Sequence, residues 1–383
     1  MKPIRIALVA GEASGDLLAA HLIQAVKANL AGAEFYGIGG PKMQAVGFDP
    51  LWPAEKLAVR GYAEVLRHYR EITGIRRQLL KTLLRDKPDL FIGVDAPDFN
   101  LWLERRLKAA GIPTLHFVGP SIWAWRRKRI HSIARAVSRM LVLFPFEPPL
   151  YEAQNIPVTY VGHPLADVIP LQPSRQEARD RLGLSEHGPA PIFALLPGSR
   201  QSELHYLADT FIETGKRLLQ RFPGALLLVP LVSRETRVLF EEALWRAGAQ
   251  DMSFKMLFGH AQDALAACDA ALVASGTATL EAALLKRPMV IAYKMSPWSW
   301  WLTRRMRYQP WVGLPNILAG RFVVPEFLQD DATPDNLSQA LGNLVTDRAT
   351  VARIESCFVS IHRSLRQDTA TRAAQAVMGA LER

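Results

Sequence analysis

Along the chain, short runs rich in Val, Ile and Leu alternate with longer segments whose apolar residues recur at helical spacing. Short apolar runs bounded by turn residues read as buried strands, and the 3.6-residue period between them reads as helix. The first half predicts strands at 4–10, 34–38, 90–94, 114–118, 140–144 and 158–161. After Gly162-His163-Pro164-Leu165 comes a polar stretch with Pro170 and Pro173, and a helix-like segment begins at Ser174. The alternation restarts with strands at 192–196, 225–229, 253–256, 270–274 and 289–292, and the tail from Pro334 reads as helix only. Two βα series joined by a Pro-containing linker predict an α/β protein of two doubly wound, Rossmann-like domains facing each other across a cleft.

In open α/β sheets, ligands bind beyond the carboxyl ends of the strands, so the residues following each strand carry the candidate chemistry. The first strand ends in Gly11-Glu12-Ala13-Ser14-Gly15-Asp16, a small-residue turn entering a helix. Free N–H groups and the positive dipole end suit an anion there, while a tight structural turn with Asp16 as a cap explains it equally well. Glu12 between the glycines is not forced by the turn. Gly93-Val94-Asp95-Ala96-Pro97-Asp98-Phe99-Asn100 closes another strand. Pro97 pushes Ala96 out of the right-handed helical region, leaving Asp95 on the turn and Asp98 as the expected N-cap. A carboxylate at a strand end can serve as a general base, or it can form the turn by hydrogen bonding.

In the second half, Gly198-Ser199-Arg200 follows a strand, with Glu203 in the first turn of the next helix. Ser275-Gly276-Thr277 repeats the arrangement, with Glu281 one turn in. Small residues let backbone amides approach an anion, and Arg200 can neutralise a phosphate. A carboxylate one turn away can bind ribose hydroxyls. Either turn alone could be structural; the pair points to a nucleotide diphosphate. The P-loop, the dinucleotide fingerprint, His-Glu-x-x-His, Cys-x-x-Cys and Gly-x-Ser-x-Gly are all missing, and so is any Asp-x-Asp pair. Kinase, dehydrogenase and zinc hydrolase readings lose ground, and no metal or cofactor is expected.

Charge narrows the partners. The 46 basic and 36 acidic residues give a formal charge of +10 and a pI near 9.7, which calls for a polyanionic partner: nucleic acid, an anionic lipid surface or phosphorylated substrates. The longest stretch without an ionic side chain, 109–125, is broken by Gly111, Pro113, Gly119 and Pro120, so no spanning helix is expected. Two cysteines, Cys268 and Cys357, exclude a disulfide framework, and the N-terminal apolar run is too short for a secretory signal, which predicts a cytoplasmic protein. Between 60 and 87, basic side chains accompany apolar residues at helical spacing, with Tyr62, Val65, Leu66 and Tyr69 in the leading half. Trp123 and Trp125 precede a basic run, and Trp298 and Trp301 stand near Arg304 and Arg305. Tryptophan beside arginine suits a membrane–water interface, and would equally suit single-stranded nucleic acid or a buried aromatic patch. His116, His163 and His260 flank strands and read first as structural, as does Cys268.

Taken together, Gly-Glu-Ala-Ser-Gly-Asp at 11–16, Asp-Ala-Pro-Asp-Phe-Asn at 95–100, Pro-Ser-Ile-Trp-Ala-Trp at 120–125 and Gly-His-Pro-Leu at 162–165 resemble the lipid-A-disaccharide synthase family. Leu-Pro-Gly-Ser-Arg at 196–200, Ser-Gly-Thr-Ala-Thr-Leu-Glu at 275–281, Leu-Pro-Asn-Ile-Leu-Ala-Gly at 314–320 and Pro-Glu-Phe-Leu-Gln at 325–329 extend the likeness over nearly the whole chain. The resemblance implies a GT-B glycosyltransferase with an N-terminal domain over 1–165, a UDP-sugar domain over 166–350, and helices over 351–383 that cross back. It implies an inverting transfer from UDP-2,3-diacylglucosamine to 2,3-diacylglucosamine 1-phosphate (lipid X), at the cytoplasmic face of the inner membrane and without nucleic acid. Asp95 matches the family's proposed base, Glu12 borders the acceptor, and Asn316 and Gln329 match positions near the sugar–diphosphate. Tyr62, Val65, Leu66, Tyr69, Trp123, Trp125, Trp298 and Trp301 are the expected membrane- or acceptor-facing residues. The oligomeric state stays open, a homodimer included. Bottom-up, another GT-B transferase, an epimerase of the same fold, and a non-catalytic anion-binding module are the rivals.

Overall fold

The computed structural model describes residues 3–53, 62–306 and 308–382, without the side chains of 62–69 and 302. It divides into two units, 1–167 with 365–383, and 168–364. The first unit holds a parallel sheet of β1 (Arg5–Ala10), β2 (Glu34–Gly39), β3 (Phe48–Pro53), β4 (Leu90–Val94), β5 (Thr114–Phe117), β6 (Arg139–Val142) and β7 (Val158–Tyr160), in the order β3-β2-β1-β4-β5-β6-β7. The second holds β8 (Ile192–Leu196), β9 (Leu226–Leu231), β10 (Phe254–Phe258), β11 (Ala270–Ala274), β12 (Met289–Tyr293) and β13 (Glu326–Leu328), all parallel, in the order β10-β9-β8-β11-β12-β13. Every strand read from the apolar runs is present, and both sheets are doubly wound.

Alternation within one strand feeds two cores. Ile6 and Leu8 of β1 pack with the helices Ala13–Asn29 and Thr369–Leu381 on one face. Ala7 and Val9 pack on the other face, against Ile75, Leu79 and Leu83 of helix Tyr62–Asp86 and Phe99, Leu103 and Leu107 of helix Pro97–Ala109. A strand covered on both sides reads as a continuous apolar run, which is why these strands are legible. The trailing half of helix Tyr62–Asp86 is therefore a core helix. The side chains of Tyr62, Val65, Leu66 and Tyr69 in its leading half lie outside the described residues.

The return to the first unit falls at 364–365, where the motif reading put it at 351. Helix Arg348–Leu365 stays with the second unit almost to its end, burying Ile354 and Phe358. Helix Thr369–Leu381 alone goes back, sinking Ala373, Ala374 and Val377 into the core around β1. Its start is fixed by Asp167, whose carboxylate accepts from the amides of Gln367, Asp368 and Thr369 at 2.8–3.1 Å. No helix among the described residues is long and apolar enough to cross a membrane.

Candidate active site at two switch points

Strand order reverses between β1 and β4 in the first sheet and between β8 and β11 in the second. Successive helices leave to opposite faces at such a point, which opens a crevice beyond the strand ends. Both reversals coincide with the turns singled out from the sequence.

In the first unit Ala10 pairs with Val94, so the turns after β1 and β4 are neighbours. Glu12 takes the N-cap position of helix Ala13–Asn29 with its side chain exposed and not capping. Asp16 does not cap that helix either. It is 4% exposed, and its carboxylate accepts from Gly40, Lys42 and Met43 amides at 2.9–3.1 Å, fixing the turn after β2. After β4 come two consecutive left-handed residues, Asp95 (φ 52°) and Ala96 (φ 42°). The Asp95 N–H donates to Phe117 O at 2.8 Å, and its carbonyl accepts from Asn100 Nδ2 at 2.8 Å. Its half-buried carboxylate has no hydrogen-bond partner among the described residues. The expectation that Asp98 is the N-cap is corrected: Pro97 takes the first helical position, Ala96 becomes the N-cap, and exposed Asp98 pairs with Arg129.

In the second unit Leu196 pairs with Val273, which brings the turns after β8 and β11 together. The two turns differ. At the first, Glu203 accepts from the amides of Ser199 (2.8 Å) and Arg200 (3.2 Å), so that helix start already holds a carboxylate. Gly198 has φ 125°, and a Cβ there would lie 2.5 Å from the Glu203 carboxylate. The Arg200 side chain is 80% exposed. At the second turn, Ser275 is anchored through its N–H to Ala292 O and its hydroxyl to Val312 O, while Gly276 and Thr277 stay exposed at the start of helix Thr277–Leu284. Glu281 has no hydrogen-bond partner among the described residues, and burial pushes its carboxyl above the ordinary range. This second turn, unlike the first, holds no carboxylate of its own at the helix start among the described residues, and combines the positive helix end with a half-buried carboxylate one turn away, features that suit an anion.

Asn316, which the resemblance puts near the sugar–diphosphate, is held as a clamp between backbone segments. It is 0% exposed; its Oδ1 accepts from Val323 and Val324 amides, and its Nδ2 donates to Val324 O and Glu326 Oε1. Glu326 in turn accepts from Val312 and Gly313 amides, so the pair fixes the Val312 carbonyl on which Ser275 rests. Gln329 clasps the Met295 backbone, accepting from its N–H (2.8 Å) and donating to its carbonyl (3.1 Å). This leaves one donor and one acceptor position on the amide for a ligand. Lys294, the first residue past β12, was not picked out by the motifs. Burial lowers its ammonium, which donates to Thr210 Oγ1 at 2.8 Å; its position directly after an apolar run was the available signal.

The aromatic residues separate into two kinds. Trp123 is corrected to a core residue: it is 8% exposed, with its ring edge-on to Phe144 and Phe146. Phe144 also stacks on His163, whose burial lowers its imidazole to about 4. Trp125 is 41% exposed beneath the Arg126 guanidinium, while Trp298 (71%) and Trp301 (44%) stack at 5.2 Å with Arg305 over Trp301. His116 is fully buried against Glu104, His260 is exposed beside Asp263, and Cys268 is a buried core residue.

The sequence profile of lipid-A-disaccharide synthetases matches residues 6–379. The chain is 62% identical over 379 residues to a lipid-A-disaccharide synthase of Dechloromonas aromatica, covering 99% of each. It is 56% identical to one of Chromobacterium violaceum, covering 98% of this chain and 97% of the relative. Among solved structures it is similar to Anabaena HepE, crystallised with UDP and glucose (TM-score 0.60, 13% identity, 98% and 99% of the two chains). It is also similar to a UDP-GlcNAc 2-epimerase of Neisseria meningitidis bound to UDP-GlcNAc (TM-score 0.63, 11% identity, 99% and 100%). At those identities the structural likeness speaks for the fold alone.

Proposed function

Because the chain belongs to the lipid-A-disaccharide synthase family of glycosyltransferases, we propose that it joins UDP-2,3-diacylglucosamine to lipid X, giving the β-1,6-linked lipid A disaccharide 1-phosphate and UDP. An α-linked donor giving a β-linked product requires a single inversion. The acceptor O6 attacks the sugar C1 opposite UDP, the bond from C1 to the diphosphate oxygen breaks, and the O6 proton passes to a base. Asp95 is that base. The observation that carries this reading is a carboxylate at a switch point with no hydrogen-bond partner among the described residues, on a backbone tied through both its N–H and its carbonyl. Glu12, exposed on the adjoining turn, borders the acceptor.

On the donor side, charge develops on the departing diphosphate. The open helix start at Ser275, Gly276 and Thr277 and the exposed Arg200 stabilise it, since preorganised donors aimed at developing charge are a large catalytic term. Gly198 and Ser199 shape the neighbouring turn, while Glu281 accepts from the ribose hydroxyls and Gln329 offers its remaining amide positions to the sugar–diphosphate. Both substrates carry acyl chains, so the reading includes peripheral association with the anionic cytoplasmic face of the inner membrane. Trp125, Trp298 and Trp301 with their arginine neighbours suit that interface. Asp95→Asn is expected to lower turnover about 10²- to 10⁴-fold, the usual worth of a general base, while UDP-sugar binding measured by calorimetry persists. Near-normal turnover in a folded Asp95→Asn protein contradicts the assignment.

A further inference from the structure

Beneath the Asp95 turn lies a buried polar side chain with no part in the chemistry above it. Asn100 is 0% exposed. Its Nδ2 donates to the Asp95 carbonyl at 2.8 Å and lies 3.4 and 3.5 Å from the carbonyls of Val9 and Val94, so it spans the ends of β1 and β4. Gly93 makes the room: a Cβ there would sit 2.8 Å from the Asn100 Cβ and 2.2 Å from Glu104 Oε1. Glu104, one turn beyond Asn100, meets His116 at 2.7 Å with both side chains fully buried, and His116 is the register partner of Gly93. The Asn100 Oδ1 has no hydrogen-bond partner among the described residues. Burying an amide with one end unsatisfied is costly, and an apolar side chain would pack there at less expense. The return lies on the donor side.

Left-handed backbone costs about 1–2 kcal/mol at a residue other than glycine, and it persists only where its surroundings over-determine it. Ala96 is held by its carbonyl, which accepts from the Phe99 and Asn100 amides at 3.0 Å. Asp95 is held at one end by Phe117 O and at the other by the Asn100 side chain. We propose that Asn100, bearing on Gly93 and the Glu104–His116 pair, is the positioning residue that locks the peptide after Asp95 and so aims its carboxylate at the acceptor hydroxyl. This rests on the reading of Asp95 as the base. Asn100 touches no substrate, so its loss acts on the chemical step and not on binding.

The test is a double-mutant cycle in the full-length protein: Asn100→Ala and Asn100→Ser, each alone and combined with Asp95→Asn, with folding checked by thermal melting. Asn100→Ala is expected to lower kcat about 10- to 100-fold, the scale of an ångström-level misplacement, with KM for donor and acceptor within about 2-fold. Asn100→Ser, whose hydroxyl can donate, recovers part of the loss. In the Asp95→Asn background, Asn100→Ala changes the residual rate less than about 3-fold, because the group it aims is gone. An equal loss in both backgrounds, or a rise in KM matching the fall in kcat, marks a merely structural asparagine and overturns the proposal. If Asn100→Ala does not fold, Asn100→Ser is read by the same comparison. Wild-type turnover in Asp95→Asn sinks the base reading and this inference with it, whereas a crippled Asp95→Asn beside a normal Asn100→Ala sinks the inference alone.

Discussion

Asp95 and Asp98 stand three positions apart, and the fold gives them opposite surroundings. Asp95 sits half-buried on a strained turn, whereas Asp98 is 87% exposed and paired with Arg129. Exposed pairs contribute little, so Asp98→Asn is expected to change stability by less than about 1 kcal/mol and leave turnover near normal. A turnover loss comparable to that of Asp95→Asn contradicts this assignment. Asp95 was singled out because a carboxylate at a strand end stands out, while the clamp at Asn316 went unread because three of its hydrogen bonds run to the backbone of Val323 and Val324 and the fourth to the Glu326 side chain, an arrangement that no spacing announces. Glu147 gives a pH prediction. Burial raises its carboxyl from 4.5 to about 8, so its contribution to stability is full below pH 4.5 and is lost as pH rises through 8. His163, lowered from 6.5 to about 4, runs the other way: its contribution is present above pH 6.5 and is lost as pH falls through 4. Glu147→Gln should therefore gain melting temperature relative to the wild type as pH rises from 5 to 8.5, by calorimetry. A constant difference across that window contradicts the assignment.

At the scale of elements, the strands missing from the sequence pattern are β3 and β13, each at one edge of its sheet. β3 carries Pro50 and Pro53, which cannot donate to a ladder and are tolerated only where one side is unpaired. β13 opens on Glu326 and has only Phe327 and Leu328 as apolar residues, so no apolar run marks it. The closing helix Thr369–Leu381 was legible as a helix, but its attachment to the first unit depends on long-range packing that periodicity does not encode. Val377→Ala removes two buried methyl-sized groups from that contact, and should cost about 2 kcal/mol. Denaturant unfolding followed by a probe in the first unit checks this, and a change under about 0.5 kcal/mol would mean the helix is not part of that core. The two turns after β8 and β11 looked alike in sequence. The structure separates them, because Glu203 fills one helix start while the other stays open. Glu281→Gln should accordingly raise the donor KM about 10-fold with kcat little changed, as expected for a group that binds without reacting.

For the molecule as a whole, the charge of +10 and the exposed Trp125, Trp298 and Trp301 combine into one expectation. Binding to vesicles of anionic phospholipid should weaken as salt is raised, and a Trp298→Ser, Trp301→Ser double variant should bind more weakly without loss of melting temperature. Equal binding to neutral vesicles contradicts it. Lipid-A-disaccharide synthases and UDP-sugar epimerases are served by one architecture, so fold cannot choose the reaction. The most direct measurement is UDP release from the purified protein given UDP-2,3-diacylglucosamine, with and without lipid X, with the product examined by mass spectrometry. Release that requires lipid X and yields the disaccharide 1-phosphate is the predicted result. Release without lipid X, or turnover of an unacylated UDP-sugar in its place, would contradict the account.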